Sequence, residues 1–262
     1  MNFEVRDPPE TQNSELKIQN LKGSEYGAKR KDMATSAREF LDECIAFKRD
    51  SAPKGAFLRR MAMGELKQEQ LRRWAKDFYY YVEPAIPTIA AWMSKAPTLP
   101  DRSLYKLVAR NLAGEMGYIR EAEHHDLYVQ FCAGLDIKRE ELLEHLPLAS
   151  TVGAASTMGY YCRNSFEEGL GAFGLAVEME VPGRPNGAKV IHDGLKKHYG
   201  LSERTLEFWS IHVEAEEEHG ENAVAVLSRC GQTDDQQALI RRAFHFSVIA
   251  HAAMAEGFDR FL

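Results

Sequence analysis

The chain has 262 residues, of which 44% are hydrophobic, and its formal net charge is −6. This length and content suffice for one sizeable core or at most two small ones. Basic and acidic residues are interspersed, so the sequence offers no polyanion-binding surface and nucleic acid is not an expected partner.

The four cysteines are scattered, without a CxxC pair, and are predicted to be reduced and buried. No apolar run approaches the roughly 20 residues that span a bilayer, and residues 1–17 lack the apolar region of a secretory leader. We therefore expect a soluble, cytoplasmic protein without membrane contact.

Residues 1–32 are polar and are predicted to form an N-terminal arm, followed by one helical domain over 33–262. From Thr35 onward apolar residues recur at spacings of three and four, which indicates an all-α fold. Pro84 and Pro87 lie inside one predicted helix and are expected to kink it. The predicted helices span 35–49, 53–63, 67–95, 101–133, 138–145, 149–177, 187–199, 202–229 and 233–261.

The clearest signal for a functional site is HxxxExxH at residues 212–219. At about 100° per residue, His212, Glu216 and His219 share one helix face, and this face also carries the apolar residues. Buried imidazole and carboxylate groups are costly without a partner, and a metal ion supplies one. The alternative interpretation is a solvated acidic helix with incidental histidines.

Two other segments place acidic groups among apolar and small residues. The first holds Glu115, His124 and His125. The two histidines are adjacent to each other, so at most one of them can face inward. Their spacings of nine and ten residues from Glu115 do not fit one regular helix, so a π-bulge or kink near Gly117 is expected.

The second segment, residues 169–182, is the glycine-rich end of the predicted helix over 149–177, where either Glu178 or Glu180 ends a buried stretch. Together the three segments offer three carboxylates and three histidines. That number of ligands matches two iron ions with open positions for dioxygen.

The chain resembles the haem-oxygenase-like di-iron oxidases, which belong to the TenA/PqqC-like helical fold. Residues 64–81, GELKQEQLRRWAKDFYYY, are similar to an early helix of that family, and NLxxE, HxDLxxQF, ExxxP and HxxxExxH follow in the family's order. The resemblance covers about residues 35 to 260 and implies a single-domain haem-oxygenase-like bundle.

The resemblance also implies a ligand set for two Fe(II) ions. His124 is preferred to His125 because it lies three residues before Leu127, and Glu178 is preferred to Glu180 because it lies four residues before Pro182. The implied metal-binding and catalytic residues are Glu115, His124, Glu178, His212, Glu216 and His219.

By this resemblance, the protein is a non-haem di-iron oxidoreductase that uses O2 to oxidise a small amine- or carboxylate-bearing metabolite. The expected reaction is N-oxygenation or oxidative cleavage of a C–C or C–H bond. Formation of aminobenzoate from a self-supplied tyrosine is disfavoured, because residues 55–60, GAFLRR, contain no tyrosine. An external electron donor and a homodimer are compatible with this function, and the sequence specifies neither.

Two alternatives stay open from the sequence. One is a metal-free enzyme of the same fold, either a thiaminase-like hydrolase with a cysteine nucleophile or a cofactor-independent oxidase. The other is a non-catalytic helical binding protein. Five side chains are candidates to line a substrate cavity: Tyr79, Tyr80, Tyr160, Tyr161 and His245.

Overall fold

A computed structural model describes residues 35–53, 56–97, 102–119 and 122–262, with the side chains of 214–219 left out. The predicted arm, residues 1–32, lies outside the described residues. The described secondary structure is entirely helical, which confirms the all-α prediction. Its helices are α1 (Ala37–Asp50), α2 (Phe57–Ala62), α3 (Gln68–Val82), α4 (Ala85–Met93), α5 (Ser103–Glu115), α6 (His124–Gly134), α7 (Arg139–Glu144), α8 (Ala149–Asn164), α9 (Phe166–Gly169), a π-helical segment (Leu170–Leu175), α10 (Gly187–Tyr199), α11 (Glu207–Cys230) and α12 (Asp234–Phe261).

The predicted helix over 67–95 is two helices, so the prediction that Pro84 only kinks it was wrong. Helix α3 ends at Val82, and Pro84 occupies the N-cap of α4, where its carbonyl accepts the N–H of Thr88 at 3.0 Å. Pro87 lies in the first turn of α4. A proline costs little there, because the first N–H groups of a helix have no partner within the helix.

The predicted helix over 101–133 also divides: near Gly117, where a π-bulge or kink was expected, the described residues show the end of a helix instead. Gly117 has a φ of 71°, and the N–H of Tyr118 bonds to the carbonyl of Ala113 at 2.9 Å. This left-handed glycine with a six-residue hydrogen-bonded turn is a common way to end a helix. His124 therefore begins a new helix, and its distance in sequence from Glu115 no longer conflicts with helical geometry.

A π-helical segment occurs instead at Leu170–Leu175, within the predicted helix over 149–177. Hydrogen bonds that span five residues join Ala176 N–H to Gly171 O at 3.2 Å and Glu178 N–H to Phe173 O at 3.3 Å. Gly171 packs against α12 so closely that a Cβ would overlap the carbonyl oxygen of Ile240. The widened turn thus lies directly before Glu178 and against the longest helix described.

Two large hydrophobic clusters form most of the core among the described residues. One is rich in aromatic rings and includes Trp74, Phe131 and Trp209, with Trp74 and Trp209 stacked at 5.6 Å between centroids. The other is built around Trp92 and Phe173. None of the described helices is both long and apolar enough to cross a membrane.

A buried carboxylate in α3 connects that helix to the start of α8. Asp77 is 1% exposed and accepts hydrogen bonds from the Leu148 N–H at 2.8 Å and from the Thr151 hydroxyl, with His145 Nε2 at 3.3 Å. These donors belong to the first turn of α8 and the residues just before it. Asp77 therefore satisfies N-terminal groups of α8 that the helix itself leaves unpaired.

We expect Asp77→Ala to lower the free energy of unfolding by about 2–4 kcal/mol, because it leaves at least two donors unpaired in the core. The corresponding fall in Tm is roughly 5–10 °C. Urea denaturation followed by circular dichroism measures the change.

Asp42→Ala is the matched control for this prediction. Asp42 pairs with Arg38 at 3.3 Å on the exposed side of α1. Its removal is expected to change the stability by less than about 0.5 kcal/mol. Equal effects of the two substitutions would contradict the role given to Asp77.

Candidate metal centre

Three side chains from three helices meet in the interior. Glu115 is the last residue of α5, His124 is the first residue of α6, and His212 lies in the second turn of α11. Their ligand atoms all lie within 4.8 Å of one another, and His124 Nδ1 is 2.9 Å from Glu115 Oε2. Glu115 and His124 are 6% and 2% exposed, so this is a buried group of ionisable side chains.

The orientation of His212 is set by its own helix. Its Nδ1 lies 2.6 Å from the carbonyl oxygen of Phe208, and a carbonyl can only accept, so Nδ1 carries the hydrogen. The lone pair is then on Nε2. Burial lowers the pKa of His212 and outweighs the Glu115 carboxylate, which acts to raise it. The lowered pKa keeps the ring in the neutral form that binds metal ions.

These residues fit an iron ion. Two histidines with one carboxylate are a typical ligand set of non-haem Fe(II), which keeps other coordination positions open. Two ligand atoms at right angles on one ion, each about 2.1 Å from it, lie about 3 Å apart, close to the 2.9 Å between His124 and Glu115. Glu115 also lies at the negative end of the α5 dipole, where a cation is favoured.

Glu178 lines the same cavity as the triad and is 6% exposed. Its alternative, Glu180, is exposed and accepts a hydrogen bond from Asn186 Nδ2 at 2.5 Å. Of the two carboxylates considered from the sequence, Glu178 is the one directed to the site. The two carboxylates differ in burial because of the direction that the chain takes after the π-helical segment. The sequence around either glutamate does not specify that direction.

His125 also lines the cavity but is turned away from Glu115. Its Nε2 is 3.2 Å from the hydroxyl of Tyr79, and its Nδ1 is 3.5 Å from Asp126 Oδ1. His124 is thus the histidine that the structure brings to Glu115 and His212. Because α6 begins at His124, this residue and not His125 faces Glu115. A continuous helix from Glu115 would have favoured neither histidine.

The side chains of Glu216 and His219 lie outside the described residues, so their assignment as ligands stays a prediction. The backbone of α11 is described at these positions and continues one helix from His212. A Cβ at Gly220 would lie 3.1 Å from the carbonyl oxygen of Glu178, so α11 passes directly against the Glu178 segment.

The cavity next to the triad has a volume of about 260 Å³ and is mainly apolar. It lies where the two core clusters meet, because Trp209 belongs to one cluster and Phe173 to the other. Its lining comprises Phe78, Tyr81, Val82, Glu83, Ala85, Ile86, Glu115, His124, His125, Met158, Phe173, Val177, Glu178, Gly187, Ala188, Ile191, Phe208, Trp209 and His212.

The side chains proposed from the sequence to line the cavity are not among these residues. Tyr80 and Tyr160 are exposed, and His245 stacks on Phe47 with 3.8 Å between ring centroids. The Tyr79 hydroxyl contacts His125 Nε2, and Tyr161 packs against the exposed Tyr160. Aromatic spacing alone does not reveal which side of a helix faces an internal space.

Tyr81 is the tyrosine that lines the cavity, and sequence reasoning missed it. Its hydroxyl is 2.6 Å from Nε2 of His251 in α12, and Nδ1 of His251 is 2.6 Å from the carbonyl oxygen of Ser247. His251 in turn lines a second cavity of about 390 Å³, which shares Val177, Glu178 and Gly187 with the first. The Tyr81–His251 pair therefore forms part of the wall between the two spaces.

Two histidines and a carboxylate that could hold a metal ion thus lie together inside an all-helical fold. Residues 72–250 match the model of a family described as iron-containing redox enzymes, and the chain belongs to that family. The resemblance stated from the sequence motifs is thereby confirmed. The protein is an oxidoreductase of the haem-oxygenase-like fold.

The curated relatives carry one name. A 4-aminobenzoate synthase from Chlamydia muridarum is 28% identical over 214 residues, which cover 80% of this chain and 86% of the relative. A protein of the same name from Nitrosomonas europaea is 29% identical over 188 residues, covering 69% of this chain and 74% of the relative.

Solved structures support the fold. A TenA homologue from Pseudomonas syringae pv. tomato superposes with a TM-score of 0.69 at 15% identity, over 86% of this chain and 93% of that chain. A CADD-like protein of unknown function from Nostoc punctiforme gives a TM-score of 0.67 at 13% identity, over 86% and 97% of the two chains.

Stability should fall at acid pH through His251. Burial lowers the pKa of His251 from 6.5 to about 4, so below about pH 6.5 the unfolded chain binds a proton that the folded chain does not. The contribution is lost progressively as the pH falls from about 6.5 to about 4 and amounts to about 2–3 kcal/mol.

Denaturant unfolding at about pH 7 and about pH 4.5, compared between the wild type and His251→Gln, measures this effect. The variant should lose less stability than the wild type between the two pH values, because glutamine does not titrate. Identical losses in the two proteins would show that other groups cause the acid destabilisation.

Proposed function

We propose that the protein is an O2-dependent non-haem di-iron oxidase or oxygenase that acts on a small amine- or carboxylate-bearing metabolite, by N-oxygenation or by oxidative cleavage of a C–C or C–H bond. The observation that carries this proposal is the triad of Glu115, His124 and His212 beside an apolar cavity of about 260 Å³, in a chain of the iron-containing redox family.

The proposed second iron ion would be held by Glu178, Glu216 and His219. Glu178 supports this assignment because it is buried in the same cavity as the triad. Glu216 and His219 are one and two turns further along α11 than His212, which is the spacing that keeps a helix face in common. Bound iron would supply dioxygen activation and electron transfer, which protein side chains do not perform themselves.

The chain's own residues define where the reaction occurs. Apolar walls from Phe78, Met158, Phe173 and Phe208 exclude bulk water and hold a substrate of modest size. Helices α5, α6 and α11 hold the three ligands in place, so the ligand geometry does not depend on a mobile loop.

Formation of 4-aminobenzoate is a second candidate, because the curated relatives carry that name at 26–29% identity. Against it stands the sequence GAFLRR at residues 55–60, where a tyrosine was expected for that activity. Mass spectrometry of the aerobic reaction of the Fe(II)-loaded protein, without added substrate, discriminates the candidates. Accumulation of 4-aminobenzoate would favour the second.

A cysteine nucleophile is not supported. All four cysteines are unpaired and buried, as predicted from the sequence. Burial raises the pKa of the Cys44, Cys162 and Cys230 thiols to about 12 and that of Cys132 further still. A thiol that remains protonated and inaccessible is a poor nucleophile, so a thiaminase-like hydrolase is disfavoured.

The iron content of purified variants tests the proposal. We expect about two iron ions per wild-type chain, and less than half of that in Glu115→Ala and in His212→Ala, because loss of one ligand typically weakens a site by a factor of at least ~10–100. Metal analysis after anaerobic loading with Fe(II) gives the stoichiometry, and Mössbauer spectroscopy distinguishes coupled from separate ions.

His192→Ala is the control. His192 also lies beside two carboxylates, at 3.1 Å from Asp193 and 3.3 Å from Glu203, but on the surface. This variant should retain the wild-type iron content. A wild-type protein that binds no iron after loading, or a His212→Ala variant with full iron content and full O2 consumption, would contradict the proposed centre.

A further inference from the structure

Helix α12 carries an exposed apolar stripe in the middle of its outer side. Phe246, Ile249 and Ala253 follow one another at spacings of three and four residues, so they share one face of the helix. Phe246 and Ile249 are 55% and 53% exposed. The inner side of α12 packs on the π-helical segment at Ile240, so the stripe is not needed to hold α12 in the core.

The neighbouring helix α8 exposes a second stripe, formed by Gly153, Ser156 and Tyr160. Tyr160 is 62% exposed, and it lines a surface depression of about 320 Å³ together with Phe246. Tyr161, next to it in α8, stacks on Phe246 with 6.4 Å between ring centroids. The two stripes therefore form one continuous surface, which we call the α8–α12 face.

The size of the α8–α12 face suits a second folded chain. Tyr160, Phe246 and Ile249 alone leave roughly 350 Å² of mainly apolar surface in water, at about 200 Å² for each whole side chain. A contiguous apolar patch of this size on a folded protein is often functional. At 1.5 Å per residue and about 10 Å of width, the outer sides of α12 and α8 offer roughly 650 Å². Two such faces would bury about 1,300 Å², which is within the range of stable interfaces.

Charges on either side of the apolar stripe fit a second copy of this chain. Arg242 and Glu256 are both exposed, and each lies seven residues, or nearly two turns, from Ile249 on the same helix face. A twofold axis through Ile249 pairs α12 with its copy in antiparallel order and places each Arg242 opposite Glu256 of the second copy. A parallel arrangement would bring like charges together, which is unfavourable.

Arg242 is already oriented for this contact. Its guanidinium group pairs with the buried carboxylate of Glu168, while more than half of the Arg242 side chain stays exposed. A guanidinium has five N–H donors, so the same group can bind a second carboxylate. The ion pair with Glu168 thus holds the arginine at the edge of the α8–α12 face, where it needs little further ordering to bind another chain.

We propose that the protein forms a twofold-symmetric homodimer through the α8–α12 face, with Ile249 at the axis and an ion pair between Arg242 and Glu256 on each side of it. The rings of Tyr160 and Phe246 lose their contact with water in this dimer. Among the described residues that line the two cavities, none belongs to the α8–α12 face, so the dimer leaves both cavities open. The inference does not depend on the proposed function.

Sedimentation velocity of the full chain at about 1 to 100 µM measures the association, and the wild type should be a dimer in this range. Ile249→Glu places two like charges at the axis and should raise the dissociation constant of the dimer at least about 100-fold. Leu146→Glu is the matched control, because Leu146 is 89% exposed but lies outside the α8–α12 face. It should leave the dissociation constant within about 2-fold of the wild-type value.

Glu256→Arg tests the ion pairs separately. It should raise the dissociation constant about 10-fold or more, because each Arg242 then faces another arginine. Ile249→Cys should give a disulfide-linked dimer under mild oxidation, because the two copies of this residue face each other at the axis. Leu146→Cys should give none, and the four native thiols are buried and do not contribute.

Far-UV circular dichroism of each variant checks that the helices are retained. If Ile249→Glu does not fold, Glu256→Arg and Ile249→Cys decide the question. A wild type that sediments as a monomer throughout the range would overturn the proposal and would leave the α8–α12 face to residues 1–32 or to a different protein. A dimer that persists in Ile249→Glu, or that forms no disulfide through Ile249→Cys, would equally overturn it, because the two chains would then associate through another surface.

Discussion

The arrangement of the interior is governed by one constraint: ionisable side chains that are removed from water need a partner there. Glu115, His124 and His212 are brought together among apolar side chains, where an uncompensated carboxylate is costly. Each of them is supplied by a helix, and two stand at helix ends that face each other: the last residue of α5 and the first of α6. The turn that ends α5 is as important as these side chains, because without it the two helix ends could not meet.

Two local interruptions of regular helix position Glu115, His124 and Glu178. The left-handed Gly117 turns the chain between Glu115 and His124. The π-helical segment precedes Glu178, and its close contact through Gly171 with the backbone of α12 leaves no room for a side chain. A π turn changes the direction of all following side chains by adding one residue to a turn, and such segments often occur at functional sites. Regular helices alone would have placed Glu178 on another face.

Much of this site could be predicted from the sequence, and the exceptions have physical causes. HxxxExxH at 212–219 identified α11 because a helix face is a local property, set by a rotation of about 100° per residue. The pairs His124/His125 and Glu178/Glu180 could not be resolved by that rule, because the choice follows from a helix start and a π turn that tertiary packing stabilises. The helix over 67–95 divided at Pro84, where sequence reasoning expected only a kink.

Tyr81 and His251 were missed for a related reason. They are 170 residues apart, and no spacing rule connects a tyrosine at the end of α3 with a histidine in α12. Periodicity predicts that both helices have buried faces, but not which buried residues border an empty space. Cavities arise where packed elements fail to fill the volume between them, so they depend on the sum of many side-chain sizes and not on any single motif.

The residues around the two cavities come from more helices than the three that carry Glu115, His124 and His212. The triad is carried by α5, α6 and α11, whereas Tyr81 and Glu83 come from the end of α3 and His251 from α12. Substitutions at the second group can change the hydrogen bonds at the cavity wall without altering Glu115, His124 or His212. A fold built in this way can retain one metal site while its substrates diverge, which agrees with the general observation that function is determined by the site and not by the fold.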